Sequence, residues 1–193
     1  MIWKCNPNRV DQSKALSSVV GFGIVTVLGV SGCLYMRSHG ESDEPRQATE
    51  LSDAAFQAEL GAWSRLSASK LDGSRFPMRD LGGKPTVLYF WATWCPLCST
   101  QRDVLKTLEH EWRGRLRTAA LSVDDDPQTV RRYLENHAPL SQELRASPEL
   151  LELFQVESLP TLAVIDATGR VQIVSAGSMD AAELRGVVAP LLQ

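Results

Sequence analysis

Thr86-Val87-Leu88-Tyr89-Phe90-Trp91-Ala92-Thr93-Trp94-Cys95-Pro96-Leu97-Cys98 is the stretch on which the reading of the whole chain turns. Residues 86–91 form a β-branched and aromatic run, set off upstream by the break Gly82-Gly83-Lys84-Pro85. A short, mostly apolar run of this kind predicts a central strand covered on both faces. After Cys95 the period changes. Leu97, Gln101, Val104, Leu105 and Leu108 recur near helical spacing as far as Arg113-Gly114, where the helix is expected to stop. Cys95 therefore stands at the head of a helix, where unpaired backbone N–H groups and the helix dipole favour an anion. A thiolate there is stabilised and made nucleophilic. Pro96 suits the first helical position, because its missing N–H costs nothing there. Cys98 follows one turn later, within reach of a disulfide to Cys95. The pair predicts a two-step exchange in which Cys95 forms a mixed disulfide and Cys98 resolves it. A bare C-x-x-C is equally compatible with a buried or zinc-bound pair; the placement between strand and helix favours redox chemistry.

Working outward, Leu71-Asp72-Gly73 marks a turn between two short strand candidates, giving a hairpin over residues 66–81. Residues 116–123 read as a strand, followed by the acidic turn Asp124-Asp125-Asp126, taken as solvated. Pro127 opens a helix running to about His137. Ser147 caps a short helix through Phe154. Residues 161–166 and 169–175 make a second hairpin around Ala167-Thr168-Gly169, and residues 179–192 a closing helix. The expected order is hairpin, strand, helix, strand, helix, helix, strand, strand, helix. This is an α/β architecture with a mixed central sheet flanked by helices.

The chain has 193 residues, 44% hydrophobic and 22% charged, with a formal net charge of −3. That suits one packed domain plus a short extra segment. Lys4, Arg9 and Lys14 stand against Asp11 in residues 1–36, so the remainder holds 17 of the 20 basic and 22 of the 23 acidic side chains. A mildly acidic domain without a basic cluster argues against nucleic-acid binding. The four cysteines, Cys5, Cys33, Cys95 and Cys98, are too few for a disulfide-stapled scaffold and two short of a four-cysteine zinc site. The histidines show no ligand-like spacing to the pair, so no metal and no cofactor beyond the cysteines is expected.

Residues 15–36 are an uncharged run of 22, long enough to span a bilayer, which needs about 20 apolar residues. The basic residues before it place residues 1–14 in the cytoplasm and the rest of the chain outside. Two other readings stand beside this anchor. One is a cleaved signal peptide. The other takes Val30-Ser31-Gly32-Cys33 as a lipoprotein signal, although Leu34-Tyr35-Met36 continue the apolar run. All three export the domain. Residues 37–50 read as a flexible linker, Ser52-Asp53 as the start of an amphipathic helix, and residues 51–193 as the folded domain.

The segment from Phe90 to Cys98 resembles the active-site segment of the thioredoxin superfamily. It is most similar to the membrane-anchored TlpA/ResA-like proteins, which include the cytochrome c maturation thioredoxins. Leu81-Gly82-Gly83-Lys84-Pro85 matches their lead-in, and Ser158-Leu159-Pro160-Thr161 with Asp166-Ala167-Thr168-Gly169 their second signature. The resemblance, over about residues 66–192, implies a thioredoxin-like fold and a protein-disulfide oxidoreductase. Its substrate would be a cysteine-containing protein outside the cytoplasm, and a membrane redox partner would exchange electrons with it. The tilt is towards reduction, for example of apocytochrome c or another specific client. The resemblance also implies a cis proline at Pro160, with the Leu159 backbone pairing with the incoming peptide. Cys95 and Cys98 are the expected catalytic pair. Trp94, Pro96, Leu97, Leu159 and Pro160 are the expected supports, Trp94 offering apolar surface and Pro96-Leu97 tuning the reduction potential. Trp91 reads as core.

The chain departs from the family's pattern at three places, the first being Pro96-Leu97 between the cysteines, where thioredoxin carries Gly-Pro. Tyr89 stands where cytoplasmic thioredoxins carry a buried Asp, and Gln101 where ResA-like proteins often carry a Glu. Neither side chain exchanges protons in the neutral range, so no acid–base helper for Cys98 is assigned. Two alternatives stand beside the oxidoreductase. A peroxiredoxin-like peroxidase would need Thr or Ser where Ala92 stands. A copper-handling module would use both cysteines as soft ligands, with His137 its only remote partner.

Overall fold

A computed structural model of the chain describes residues 61–193. The apolar span at 15–36, the linker, the cysteines Cys5 and Cys33 and most of the helix expected from residue 52 lie outside the described residues. Its final turn, Gly61–Arg65, is a 3-10 helix. Among the described residues no helix is long and apolar enough to cross a membrane.

Seven strands form one mixed sheet: β1 (Ser67–Lys70), β2 (Arg75–Pro77), β3 (Thr86–Trp91), β4 (Arg117–Ser122), β5 (Gln142–Arg145), β6 (Thr161–Ile165) and β7 (Val171–Ala176). Their order across the sheet is β2-β1-β5-β4-β3-β6-β7. β3, β4 and β5 run parallel, and antiparallel pairs extend the sheet on either side. The helices are α1 (Pro96–Trp112), α2 (Pro127–Leu134), α3 (Pro148–Leu153) and α4 (Ala181–Val188). All six side chains of β3 are buried, as its unbroken apolar run requires.

Alternation along β3 sorts the core. Trp91 meets Tyr133 of α2 at 5.0 Å between ring centroids and carries the guanidinium of Arg102, from α1, at 4.2 Å. Phe90 points the other way and meets Phe154, at the end of α3, at 5.5 Å. Helix α4 is held against α1 by Arg185 and Glu111 at 2.8 Å. Its start is a capping box: Asp180 accepts from Glu183 N at 2.9 Å while Glu183 Oε2 accepts from Asp180 N at 2.7 Å. Trp63 Nε1 donates to Gly169 O at 2.8 Å, tying the Gly61–Arg65 turn to the β6–β7 connection. Gly169 has φ +92, a left-handed conformation that glycine adopts without strain, and a Cβ there would lie 3.8 Å from the Trp63 ring.

Three boundaries differ from the sequence reading. β5 was not expected, because Gln142-Glu143-Leu144-Arg145 buries only Leu144 and carries no apolar alternation. It is a strand because both of its edges are taken, by β4 on one side and β1 on the other. Helix α2 stops at Leu134, short of His137. The His137 ring stacks on Tyr133 at 3.8 Å, and its Nδ1 lies 2.8 Å from the Tyr133 carbonyl. The closing helix becomes 3-10 over Ala189–Leu192, where Pro190 lacks an amide hydrogen.

A buried ion pair joins α1 to β5. Arg102 and Glu143 are 2% and 8% exposed, with contacts of 2.5 Å and 3.3 Å, and Glu143 Oε1 also accepts from Leu140 N at 2.8 Å. Removing one partner strands the other charge in a dry site. Glu143→Ala is expected to lower stability by about 3–5 kcal/mol in urea unfolding, and the double change Arg102→Met/Glu143→Leu to recover most of that loss.

Candidate active site

The end of β3 delivers the chain to the site. Residues 92–94 leave the sheet, and Cys95 is the N-cap of α1, with φ −97 and ψ 109 and Pro96 following it. Cys95 N donates to Ala92 O at 3.2 Å and Cys98 N to Cys95 O at 3.1 Å. Cys95 and Cys98 form a disulfide with their Cα atoms 5.3 Å apart. Both are buried, at 3% and 1% exposed, while Trp94 and Leu97 are 51% and 57% exposed. Pro96 is exposed between them. The disulfide thus lies beneath a rim made by its own neighbours. Trp91, read as core, is fully buried.

Sheet register brings the second motif to the same place. Phe90 pairs with Thr161 across β3 and β6, so Leu159 and Pro160 lie beside the exit of β3. The Leu159–Pro160 bond is cis. Leu159 and Pro160 are buried, and their loop is held by Gly177 N donating to Pro160 O at 2.8 Å and Thr161 Oγ1 donating to Ser158 O at 2.7 Å. The seven residues singled out from the sequence therefore lie at this end of the sheet, Trp94, Leu159 and Pro160 on its connections and Cys95, Pro96, Leu97 and Cys98 at the head of α1.

Beneath the cysteines the polar groups are pinned. Tyr89 Oη donates to the Cys98 carbonyl at 2.5 Å. Burial pushes its phenol far above the ordinary tyrosine range, outweighing the opposite pull of Arg102, so Tyr89 stays a neutral donor. Gln101 is buried and accepts from Met179 N at 2.8 Å.

One positioning residue escaped the sequence reading. Asp124, which the sequence places in a solvated turn, is buried. Its carboxylate accepts from Thr93 N at 3.0 Å, Thr93 Oγ1 at 2.8 Å and Ser122 Oγ at 2.6 Å. Asp124 therefore clamps the loop that carries Trp94 and Cys95. The correction has a simple physical cause: Ser122 is a local donor, but the two from Thr93 come from the end of another strand, so no local spacing announces them. Asp126 does lead its helix, accepting from Gln128 N at 2.9 Å. Among the described residues no group of three His, Cys, Asp or Glu is placed to hold a metal.

A reducible cysteine pair at the head of the helix after a central strand, facing a cis-proline loop, defines a thiol–disulfide oxidoreductase of thioredoxin fold. Comparison with known proteins agrees: the model of a thioredoxin-like family matches residues 82–171. It is 26% identical over 121 residues to the thioredoxin-like protein YneN of Bacillus subtilis, covering 61% of this chain and 71% of that protein. It is 24% identical over 123 residues to the thiol-disulfide oxidoreductase ResA of Oceanobacillus iheyensis, covering 62% of this chain and 63% of that one. Among solved structures it is similar to MTB dsbF, with 28% identity and a TM-score of 0.60, covering 67% of this chain and 97% of that one.

Two outcomes are expected at this site. Asp124→Ala leaves three donors unpaired and should cost about 2–3 kcal/mol in unfolding experiments. It should also slow insulin-disulfide reduction about tenfold, by loosening the loop before Cys95. In an ultraviolet alkaline titration, Tyr89→Phe should leave the native-state tyrosinate signal unchanged, since Tyr89 ionises only when the domain unfolds.

Proposed function

We propose that this protein is a membrane-tethered reductant of protein disulfides, working outside the cytoplasm on a specific cysteine-containing client such as an apocytochrome c. The observation that carries the reading is the Cys95–Cys98 pair, buried under the exposed Trp94–Leu97 rim and beside the cis Leu159–Pro160 loop. A buried pair with an apolar rim favours a macromolecular partner that covers the rim while it reaches the sulfur. The uncharged run at 15–36, with Lys4, Arg9 and Lys14 before it, supports the tether and the export.

In the reducing direction the Cys95 thiolate, favoured by the head of α1, attacks one sulfur of the client disulfide. A Cys95–client disulfide forms and the other client sulfur leaves as a thiolate. The Cys98 thiolate then attacks Cys95 Sγ and displaces the second client sulfur. The client gains two electrons and two protons, and the Cys95–Cys98 disulfide remains. A membrane dithiol donor restores the reduced pair by the reverse exchange. No cofactor other than the cysteines takes part. Trp94, Pro96 and Leu97 supply the apolar contact surface. Leu159 offers its backbone to the client segment, and Pro160 keeps the facing position free of an N–H.

The test is the reduction potential of Cys95–Cys98 in the full chain, by glutathione or dithiothreitol equilibration. A value near about −270 mV supports the reductant; one near about −120 mV makes the protein an oxidant and overturns the direction. Cys98→Ser should accumulate a mixed disulfide between Cys95 and its client, whereas Cys95→Ser should trap none. Reaction of reduced Cys95 with a membrane-impermeant maleimide in intact cells checks the compartment. Protection until the cells are lysed would place the domain inside.

A further inference from the structure

Gln101 carries an unspent donor. Its side chain is 1% exposed and its Oε1 accepts from Met179 N at 2.8 Å. A backbone N–H only donates, so the oxygen must face Met179 and the amide orientation is settled. Nε2 then points elsewhere, and it has no hydrogen-bond partner. A buried N–H group left unpaired is costly and calls for an explanation. Three of the four such atoms among the described residues are N–H donors on residues flanking the pair: Trp91 Nε1, Gln101 Nε2 and Arg102 Nε.

Gln101 lies one turn after Cys98 on the buried face of α1. Residues three apart on a helix are neighbours, and a helical side chain leans back over the turn before its own Cα. For Gln101 that turn begins at Cys98. A disulfide sulfur is a poor acceptor, whereas a thiolate is a strong one. Resting on the assignment of Cys95–Cys98 as the redox pair, we infer that Gln101 is the hydrogen-bond donor to the Cys98 thiolate in the reduced protein, through Nε2–H. Gln101 would then be satisfied on both ends only after the disulfide opens. The donor stabilises the reduced pair and so raises its potential. It also holds Cys98 as the anion that must attack Cys95 Sγ in the resolving step. Because the amide does not titrate, the donor is present at every pH, and its support follows the ionisation of Cys98 alone. It supplies by a fixed dipole what a carboxyl at this position could supply only by gaining and losing a proton.

The experiment compares wild type, Gln101→Met and Gln101→Glu as full chains, measuring the equilibrium of the pair with glutathione across a range of pH. Gln101→Met removes the donor. It also strands Met179 N, but in both redox states, so that loss cancels in the equilibrium. The expected result is a shift of about tenfold towards the disulfide, or ~30 mV more negative. Gln101→Glu keeps the acceptor for Met179 N and replaces the donor by a carboxylate. It should shift the equilibrium further towards the disulfide as that group ionises, and prolong the Cys95 mixed disulfide at the same pH. An equilibrium within twofold of wild type for Gln101→Met, or a Gln101→Glu pH profile that runs parallel to the wild-type one, overturns the inference. Should Gln101→Met fail to fold, the Gln101→Glu profile alone decides. A wild-type pair inert to glutathione would instead bring down the redox assignment itself.

Discussion

Everything at the site depends on how β3 is held. It is paired on both edges, parallel to β4 and antiparallel to β6, and all six of its side chains are buried. Those two ladders leave no freedom of register, because a slip of one residue would turn Tyr89 and Trp91 to the face of Leu88 and Phe90. With register settled, Trp91 lies level with Ser122 and Phe90 with Thr161. The first pairing sets Asp124 under Thr93; the second sets the cis Leu159–Pro160 loop beside the cysteines. Cys95 then reaches the head of α1 in one defined position. The chemistry is local to two sulfur atoms, but their placement is a property of the sheet.

Behind the cysteines the domain tolerates an unusual amount of polarity. Arg102 and Glu143 form a buried pair, with the guanidinium lying over Trp91, and Tyr89 and Gln101 are buried beside them. Such groups contribute little net stability, since their desolvation offsets most of their attraction. They do restrict the geometry. Arg102 links α1 to β5, Tyr89 holds the Cys98 carbonyl, and Gln101 holds the loop before α4 through Met179. The helix bearing both cysteines is therefore fixed on three sides by directional contacts, where apolar packing alone would allow sliding.

The sequence carried a good part of this. The apolar run of β3 and the change to helical period after Cys95 were strong, local signals, as were the Pro-led starts of α1, α2 and α3. An α/β architecture with a mixed sheet followed from them, the thioredoxin-like fold from the resemblance of residues 90–98, and the pairing of Cys95 with Cys98 from their spacing together with their place between strand and helix. Other features gave no signal along the chain. β5 is polar and short, and it exists because β4 and β1 present open edges to it. Asp124 looks like one of three carboxylates in a solvated turn until Thr93 and Ser122 close over it.

Features that rest on neighbours along the chain are therefore legible in the sequence: hydrophobic period, helix heads, turn residues and a disulfide closed within one helical turn. Features that rest on groups from separate strands and helices become visible only in the fold. Tyr89 and Gln101 show the division plainly. As letters they were departures from a pattern, substitutes with no proton to exchange. In the fold each is a buried amide or phenol with one partner already assigned, Cys98 O for one and Met179 N for the other. A hydrogen bond is directional and short in range, so its partner can be known only once the strands and helices that carry the two atoms have been brought together.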